Sequence, residues 1–203
     1  MKKIFLTLIL LVLLPLTLDA RRNGEGFFIG VGAGASYYND GGLESDTGSN
    51  MSNVSGAYKV YMGYKYNHQA TLEGSFTGYG VYDITGVMND RLSPKSAAVY
   101  INYGSDFWHN QFRPFIIAGV GLLWLDSQAD AFNSYYSEDI FFSLHYGTGI
   151  LWTPRMLDGL GFRLAYEGDW SRFATTDAAR LLGADSSYDN FLGTLYLGVQ
   201  YKF

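Results

Sequence analysis

Three side chains in this sequence have the types that covalent catalysis needs. Ser143 could serve as a nucleophile, His145 as its base and Glu167 as the acid that orients the base. Such a set works only when base and nucleophile lie within hydrogen-bond reach and a third group holds the base in place. A larger constellation surrounds them: Lys59, Tyr61, Lys65 and Glu73 in one stretch, and His145, Arg163, Glu167 and Asp169 in another. These residues could form ion pairs that fill an interior, or the lining of a narrow ion path. Acidic residues at Asp126–Asp139 could bind calcium, but their spacing fits no compact oxygen-ligand loop. The Gly30-Val31-Gly32-Ala33-Gly34 run is too regular for a nucleotide-binding turn, because it continues an alternation instead of opening a helix. No metal or cofactor is expected.

The elements that must position these groups are strands. From Gly26 to Tyr38, Phe27, Ile29, Val31, Ala33, Ala35 and Tyr37 alternate with a Gly-rich opposite face. Strict alternation over this length identifies a strand. Seven more segments follow at Ala57–Tyr66, Ala70–Tyr79, Ser96–Tyr103, Arg113–Leu125, Ile140–Thr153, Leu160–Ser171 and Phe191–Phe203. Each has one apolar face and one small or polar face. The polar face of the second carries Lys59, Tyr61 and Lys65. Glu73 lies on the third, His145 on the sixth, and Arg163, Glu167 and Asp169 on the seventh. This alternation is that of a transmembrane strand, with lipid on one side and a lumen on the other. The predicted fold is all-β: an eight-stranded antiparallel up-and-down transmembrane β-barrel. Eight strands leave an interior just wide enough for side chains, which excludes a wide diffusion pore. A soluble ligand-binding barrel would reverse the pattern, with its larger apolar face inside.

The connections alternate in length. Asn39–Ser55, Gly80–Lys95, Asp126–Asp139 and Arg172–Asn190 are long and polar, whereas Asn67–Gln69, Gly104–Phe112 and Pro154–Gly159 are short. Outer-membrane barrels keep short turns in the periplasm and long loops outside. Aromatic residues are expected in two interfacial girdles. Tyr37, Tyr58, Trp124 and Trp170 belong to the outer one, and Tyr64, Tyr66, Tyr103 and Trp152 to the inner one. His68 and His109 fall in short turns and read as solvated. The long loops carry Glu44, Asp46, Asp83, Asp90, Arg91, Asp130, Tyr135, Tyr136, Glu138, Arg172, Asp177, Arg180, Asp185 and Asp189, with a helical turn expected at Ala178–Leu182.

The flanks agree. Lys2 and Lys3 precede an apolar run from Ile4 to Leu14, then Pro15 and Leu18-Asp19-Ala20, the order of a secretory signal. Residues 1–20 are therefore expected to be a cleaved signal peptide and 21–203 one barrel domain. The absence of cysteine excludes disulfides and a lipid-modified amino terminus. A net charge of −5 argues against nucleic acid as a partner.

With Phe27–Gly34, Pro114–Gly121, Gly161–Glu167 and the final Tyr201-Lys202-Phe203 in place, the chain resembles the small eight-stranded outer-membrane β-barrels. That group includes the outer-membrane protein A transmembrane domain, the outer-membrane protein X/Ail type and the porin-like β-barrel domains. The resemblance implies a bacterial outer-membrane location, a monomer embedded in outer-membrane lipids and lipopolysaccharide, and contact with periplasmic chaperones and the barrel-assembly machinery during biogenesis. It also implies that Val199, Tyr201 and Phe203 form the signal which that machinery reads. No peptidoglycan-binding domain follows Phe203, so a tethering role is not expected. Members that deacylate lipid A carry a His-x-Ser pair on the lipid-facing wall. Here Gly147 stands in the serine position and His145 turns inward. The expected function is therefore non-enzymatic, structural or adhesin-like, with an unknown extracellular ligand. A narrow ion-conducting pore is the second reading, and a lipid A-modifying enzyme the third.

Overall fold

The computed structural model describes residues 25–39, 41, 50–85, 90–127, 140–174 and 185–203. The signal segment, the loop residues Glu44, Asp46, Asp130, Tyr135, Tyr136, Glu138, Asp139, Asp177 and Arg180, and the turn at Ala178–Leu182 lie outside them. Among the described residues there are ten strands: β1 (Gly26–Asn39), β2 (Asn50–Met51), β3 (Val54–Lys65), β4 (Ala70–Gly78), β5 (Tyr82–Thr85), β6 (Asp90–Gly104), β7 (Phe112–Ser127), β8 (Ile140–Trp152), β9 (Leu160–Ala174) and β10 (Ser187–Lys202). Eight close on themselves in the order β6-β4-β3-β1-β10-β9-β8-β7, with β7 returning to β6 and every pair antiparallel. Closure pairs every strand on both sides, which backbone in hydrocarbon requires.

Following the register once around from Tyr37 returns to β1 at Phe27, a displacement of ten residues. Eight strands with this stagger tilt by about 40° and enclose a cylinder of radius about 8 Å to the backbone. Such a cylinder is filled by side chains. The glycines of β1 make room for two large ones: the ring of Tyr61 lies over Gly30 and that of Tyr196 over Gly32. The short turns are locally specified. Asn67 Oδ1 accepts from the amides of Gln69 and Ala70 at 2.8 and 2.7 Å. Trp108, His109 and Asn110 run consecutively through the left-handed region (φ 51°, 60° and 62°) between the paired Phe107 and Phe112.

The inward and outward phases of the eight main strands are those read from the alternation. The outer wall exposes Ile29, Val31, Val60, Val99, Ile101, Ile116, Phe142, Leu164, Leu195 and Leu197, among others. At about 2.5 Å of height per tilted residue, the span Phe191–Tyr201 covers about 25 Å, the height of a lipid-facing band.

The connections differ from expectation. The predicted loop Gly80–Lys95 contains β5 and the first part of β6, which pair through Tyr82↔Leu92, Asp83↔Arg91 and Ile84↔Asp90. The predicted loop Asn39–Ser55 contributes β2, paired to β5. Strand β9 runs to Ala174 and β10 begins at Ser187, inside the predicted loop Arg172–Asn190. In these extensions the polarity of the two faces is inverted. Tyr82, Leu92, Leu125, Phe173 and Tyr188 point inward and are buried, while Asp83, Arg91, Asp126, Arg172 and Asp189 point outward. The outward residues form a collar of ion pairs: Arg91–Asp83 at 2.9 Å, Arg172–Asp189 at 3.0 Å, and Lys95–Asp126. Above the lipid band the barrel faces water, and its pattern becomes that of a soluble sheet.

Candidate functional site in the barrel lumen

The lumen has three layers. At the long-loop end, Tyr38, Tyr79, Tyr82, Leu92, Leu123, Leu125, Phe141, Phe173, Tyr188 and Leu192 pack into a buried apolar plug. Its polar atoms are turned to one another. The Tyr82 hydroxyl donates to Ser36 Oγ at 2.7 Å, and burial pushes its pKa up to about 12. Tyr38 donates to Asn190 Oδ1 at 2.6 Å.

Below the plug lies the charged layer. Glu167 accepts a hydrogen bond from Lys59 Nζ and another, 2.6 Å long, from the Tyr196 hydroxyl. The Arg163 guanidinium is 3.2 Å from the same carboxylate and His145 Nε2 is 3.4 Å from it. Asp169 faces His145 Nδ1 at 3.1 Å, accepts from Ser143 Oγ at 3.0 Å, and also accepts from the Tyr79 hydroxyl. His145 thus sits between two carboxylates, with its ring 4.7 Å from that of Tyr100. Arg163 reaches across the lumen to Glu73 at 2.7 Å, with the rings of Phe115 and Tyr61 at 4.5 and 4.9 Å from its guanidinium carbon. Lys59, Glu73, His145, Arg163, Glu167 and Asp169 are each no more than 2% exposed. A charge so placed is tolerable only when paired, and each of these has an opposite charge within 3.4 Å, although His145 Nε2 and Arg163 Nε and Nη2 make no hydrogen bond.

The structure separates Lys65 from this group. Its ammonium lies at the short-turn mouth, 3.0 Å from Asp106, and not with Glu73, its diagonal neighbour on β4. Tyr61 is in the layer through its ring. Ser143, His145 and Glu167 are brought together, but not as a triad. Ser143 directs its proton to Asp169, the carboxylate that also faces His145 Nδ1, and Ser143 is fully buried. Among the described residues no three His, Cys, Asp or Glu side chains gather as a metal-binding group.

Four residues that matter here were not singled out from the sequence: Tyr100, Asn102, Asp106 and Arg113. The alternation of β6 could have found Tyr100 and Asn102, which share the phase opposite Val99 and Ile101. Arg113 shares the phase of Gly119 and Gly121. Asp106 lies in a turn, where alternation carries no information.

The mouth is a vestibule of about 290 Å³ lined by Lys65, Asn102, Asp106 and Arg113, with Arg163 and Glu73 as its ceiling. Arg113 donates to Asn102 Oδ1 and to the Gln69 carbonyl, each at 2.8 Å.

On the outer wall, Tyr37, Tyr58, Tyr66, Tyr103 and Trp152 are exposed, whereas Tyr64, Trp124 and Trp170 are partly covered. Tyr64 and Tyr66 meet edge-on with centroids 5.1 Å apart. A run of rings from Trp108 through Phe112 and Trp152 to Phe162 continues the wall at the short-turn end. Val199, Tyr201 and Phe203 stand on the same wall, Phe203 bonded through its amide to the Phe27 carbonyl at 2.9 Å.

A closed eight-stranded antiparallel barrel, apolar outside over about 25 Å and charged within, defines an outer-membrane β-barrel protein. The Outer membrane protein beta-barrel domain family matches residues 6–203, and the chain belongs to that family. That membership places it in the bacterial outer membrane. Among solved structures, the chain is similar to Neisserial surface protein A (14% identity, TM-score 0.59, covering 89% of this chain and 100% of that one). It is also similar to OprG from Pseudomonas aeruginosa (13%, TM-score 0.53, 91% and 99%). Ail, the attachment invasion locus protein of Yersinia pestis, matches at 19% identity and TM-score 0.51, with 90% and 100% covered. These likenesses concern the fold. A search of curated protein sequences found no match.

Proposed function

We propose that this protein is a non-enzymatic outer-membrane barrel, with a structural or surface-interaction role carried by its wall and outer rim. The observation that carries this reading is the apolar plug. Among the described residues ten buried side chains pack across the long-loop end of the lumen, above the charged layer, where an ion path would have to run. The refolded protein in a planar bilayer is expected to give no steady conductance. Steady channels that disappear on Lys59→Met would instead establish the narrow ion path. The column of polar groups from Lys65 up to Asp169 is the feature that favours that second reading.

The outer surface bears on the kind of partner. The Ail structure contains a heparin analogue, sucrose octasulfate, a polyanion. In the present chain the described rim pairs its cations with Asp83, Asp126 and Asp189. Its remaining loop sequence adds Asp40, Glu44, Asp46, Asp130, Glu138, Asp139 and Asp177 against Arg180. This charge favours a neutral or cationic extracellular partner. Within the membrane the wall contacts lipids and lipopolysaccharide as a monomer.

Val199, Tyr201 and Phe203 serve assembly in this reading. Phe203 is 61% exposed, and its ring lies beside those of Phe27 and Tyr201, with centroids at 6.0 and 5.3 Å. Phe203→Ala should therefore change the stability of the refolded barrel by no more than about 0.5 kcal/mol. In cells, the same change should lower the amount of folded barrel in the outer membrane several-fold. Quantifying the heat-modifiable band in membranes and in refolded samples checks this, and equal yields in cells would remove the assembly role.

A further inference from the structure

The periplasmic vestibule contains more cation than its own carboxylates answer. We infer that it is a binding site for a small oxyanion, a carboxylate or a phosphate, entering from the periplasm.

The deep pair, Arg163 and Glu73, is joined through Nη1 at 2.7 Å and forms the ceiling; Nη2 lies 3.2 Å from Glu167, and it and Nε make no hydrogen bond. Beneath it, Lys65 and Arg113 share one carboxylate, Asp106. Lys65 takes the good geometry at 3.0 Å, while the Arg113 Nε lies 3.8 Å away. His68 approaches the same Asp106 oxygen at 3.4 Å. Arg113 is only 4% exposed, and its other nitrogens donate to neutral amide oxygens of Asn102 and Gln69. Its Nε is buried and makes no hydrogen bond. A guanidinium is always charged, and a buried one whose counter-charge is shared and distant gains by acquiring an anion. The cavity of about 290 Å³ gives that anion room beside Arg113, Lys65 and Asn102.

Two further features define the ligand. Among the described residues the vestibule is capped by the Arg163–Glu73 pair and, further up, the apolar plug, so it opens at the short-turn end. Arg113 presents a planar guanidinium held by strand backbone, which suits the flat or tetrahedral face of an oxyanion, while the Asn102 amide is engaged by Arg113 and Glu73 and fixes the guanidinium in place. Arg155 and Lys202 also line the mouth, with Asp158 as one further carboxylate, so the lining keeps an excess of positive charge.

The test is a titration of the refolded full chain in an uncharged maltoside detergent. Inorganic phosphate and N-acetylalanine are the two probes, followed by the Arg side-chain Nε–Hε NMR signals and by calorimetry. Saturable millimolar binding of either probe, weakened about tenfold by Arg113→Gln, is expected. Which probe binds more tightly tells phosphate from the carboxylate of a peptide end. Asp106→Asn removes the competing carboxylate and should tighten binding several-fold, an effect that a merely structural role for Asp106 would not produce. Heat-modifiable migration on gels verifies that each variant is folded. Absence of saturation with both probes would overturn the site, as would binding that Arg113→Gln leaves unchanged or that Asp106→Asn weakens.

Discussion

Glu167→Gln should lower the unfolding free energy of the barrel by about 3–5 kcal/mol, the cost of breaking a buried ion pair from one side. Glu167 is the one carboxylate that Lys59, Arg163 and the Tyr196 hydroxyl all address, with His145 at 3.4 Å. A glutamine keeps the shape and one acceptor oxygen but withdraws the charge. Arg163 retains Glu73 and His145 retains Asp169, so the principal loss falls on Lys59. Lys59 is 2% exposed, flanked by the rings of Tyr100 and Tyr196 at 5.3 and 5.7 Å. Those ring faces are weak compensation. The double variant Lys59→Met/Glu167→Gln should recover much of the loss, because it removes the stranded ammonium as well. Urea unfolding in lipid vesicles, followed by gel mobility, measures both. A loss of about 1 kcal/mol or less for the single variant would mean that the layer behaves like an exposed, solvated pair.

Gly34→Val should prevent the barrel from closing, or destabilise it by about 3 kcal/mol or more. Gly34 lies on the seam where β1 meets β10, opposite Tyr196. A Cβ there would fall inside contact distance of the Leu195 carbonyl and the Tyr196 Cα, both backbone atoms of β10. Neither can yield without moving a strand that must stay paired in hydrocarbon. Gly56→Val is the matched control, since a Cβ at Gly56 meets nothing within 4 Å. It should fold with a stability change of no more than about 0.5 kcal/mol. Refolding yields of the two variants, scored on the same gel, decide the matter. Equal yields would show that the seam has slack.

The wall was legible in the sequence because membrane strands repeat every two residues. Phe27 through Tyr37 and Leu195 through Tyr201 needed nothing but their alternation to be assigned an outer face. The same periodicity turned Lys59, Glu73, His145 and Arg163 inward. It could not say which of them meet. Glu73 and Arg163 lie on β4 and β9, which share no backbone pairing, and their contact depends on the ten-residue stagger and on side-chain reach across the cylinder. Lys65 illustrates the limit. Its diagonal neighbour on the adjacent strand is Glu73, yet the ammonium turns down to Asp106, a residue outside any strand. The outer strand extensions were hidden for a different reason. Asp90-Arg91-Leu92-Ser93-Pro94-Lys95 reads as a loop to anyone expecting an apolar outer face. Beyond the lipid the outer face is wet and Leu92 packs inward, so the strand continues under a reversed code.

That reversal fixes the barrel's vertical position like the waterline of a hull. Trp124 is followed by Asp126, Trp170 by Arg172, and Phe191 is preceded by Asp189, so the change from lipid to water occurs within two residues on three strands, β7, β9 and β10. In a bilayer thicker than about 25 Å the apolar band cannot match the hydrocarbon by riding upward, because below it the strands end in short turns. Nor can the membrane climb the wall without immersing Lys95–Asp126 and Arg172–Asp189. The hydrophobic mismatch must be absorbed by the lipid, which thins around the barrel, because tilting the cylinder would only shorten its apolar span further. Thin membranes are thus its natural host, and a locally compressed annulus of lipid travels with it elsewhere.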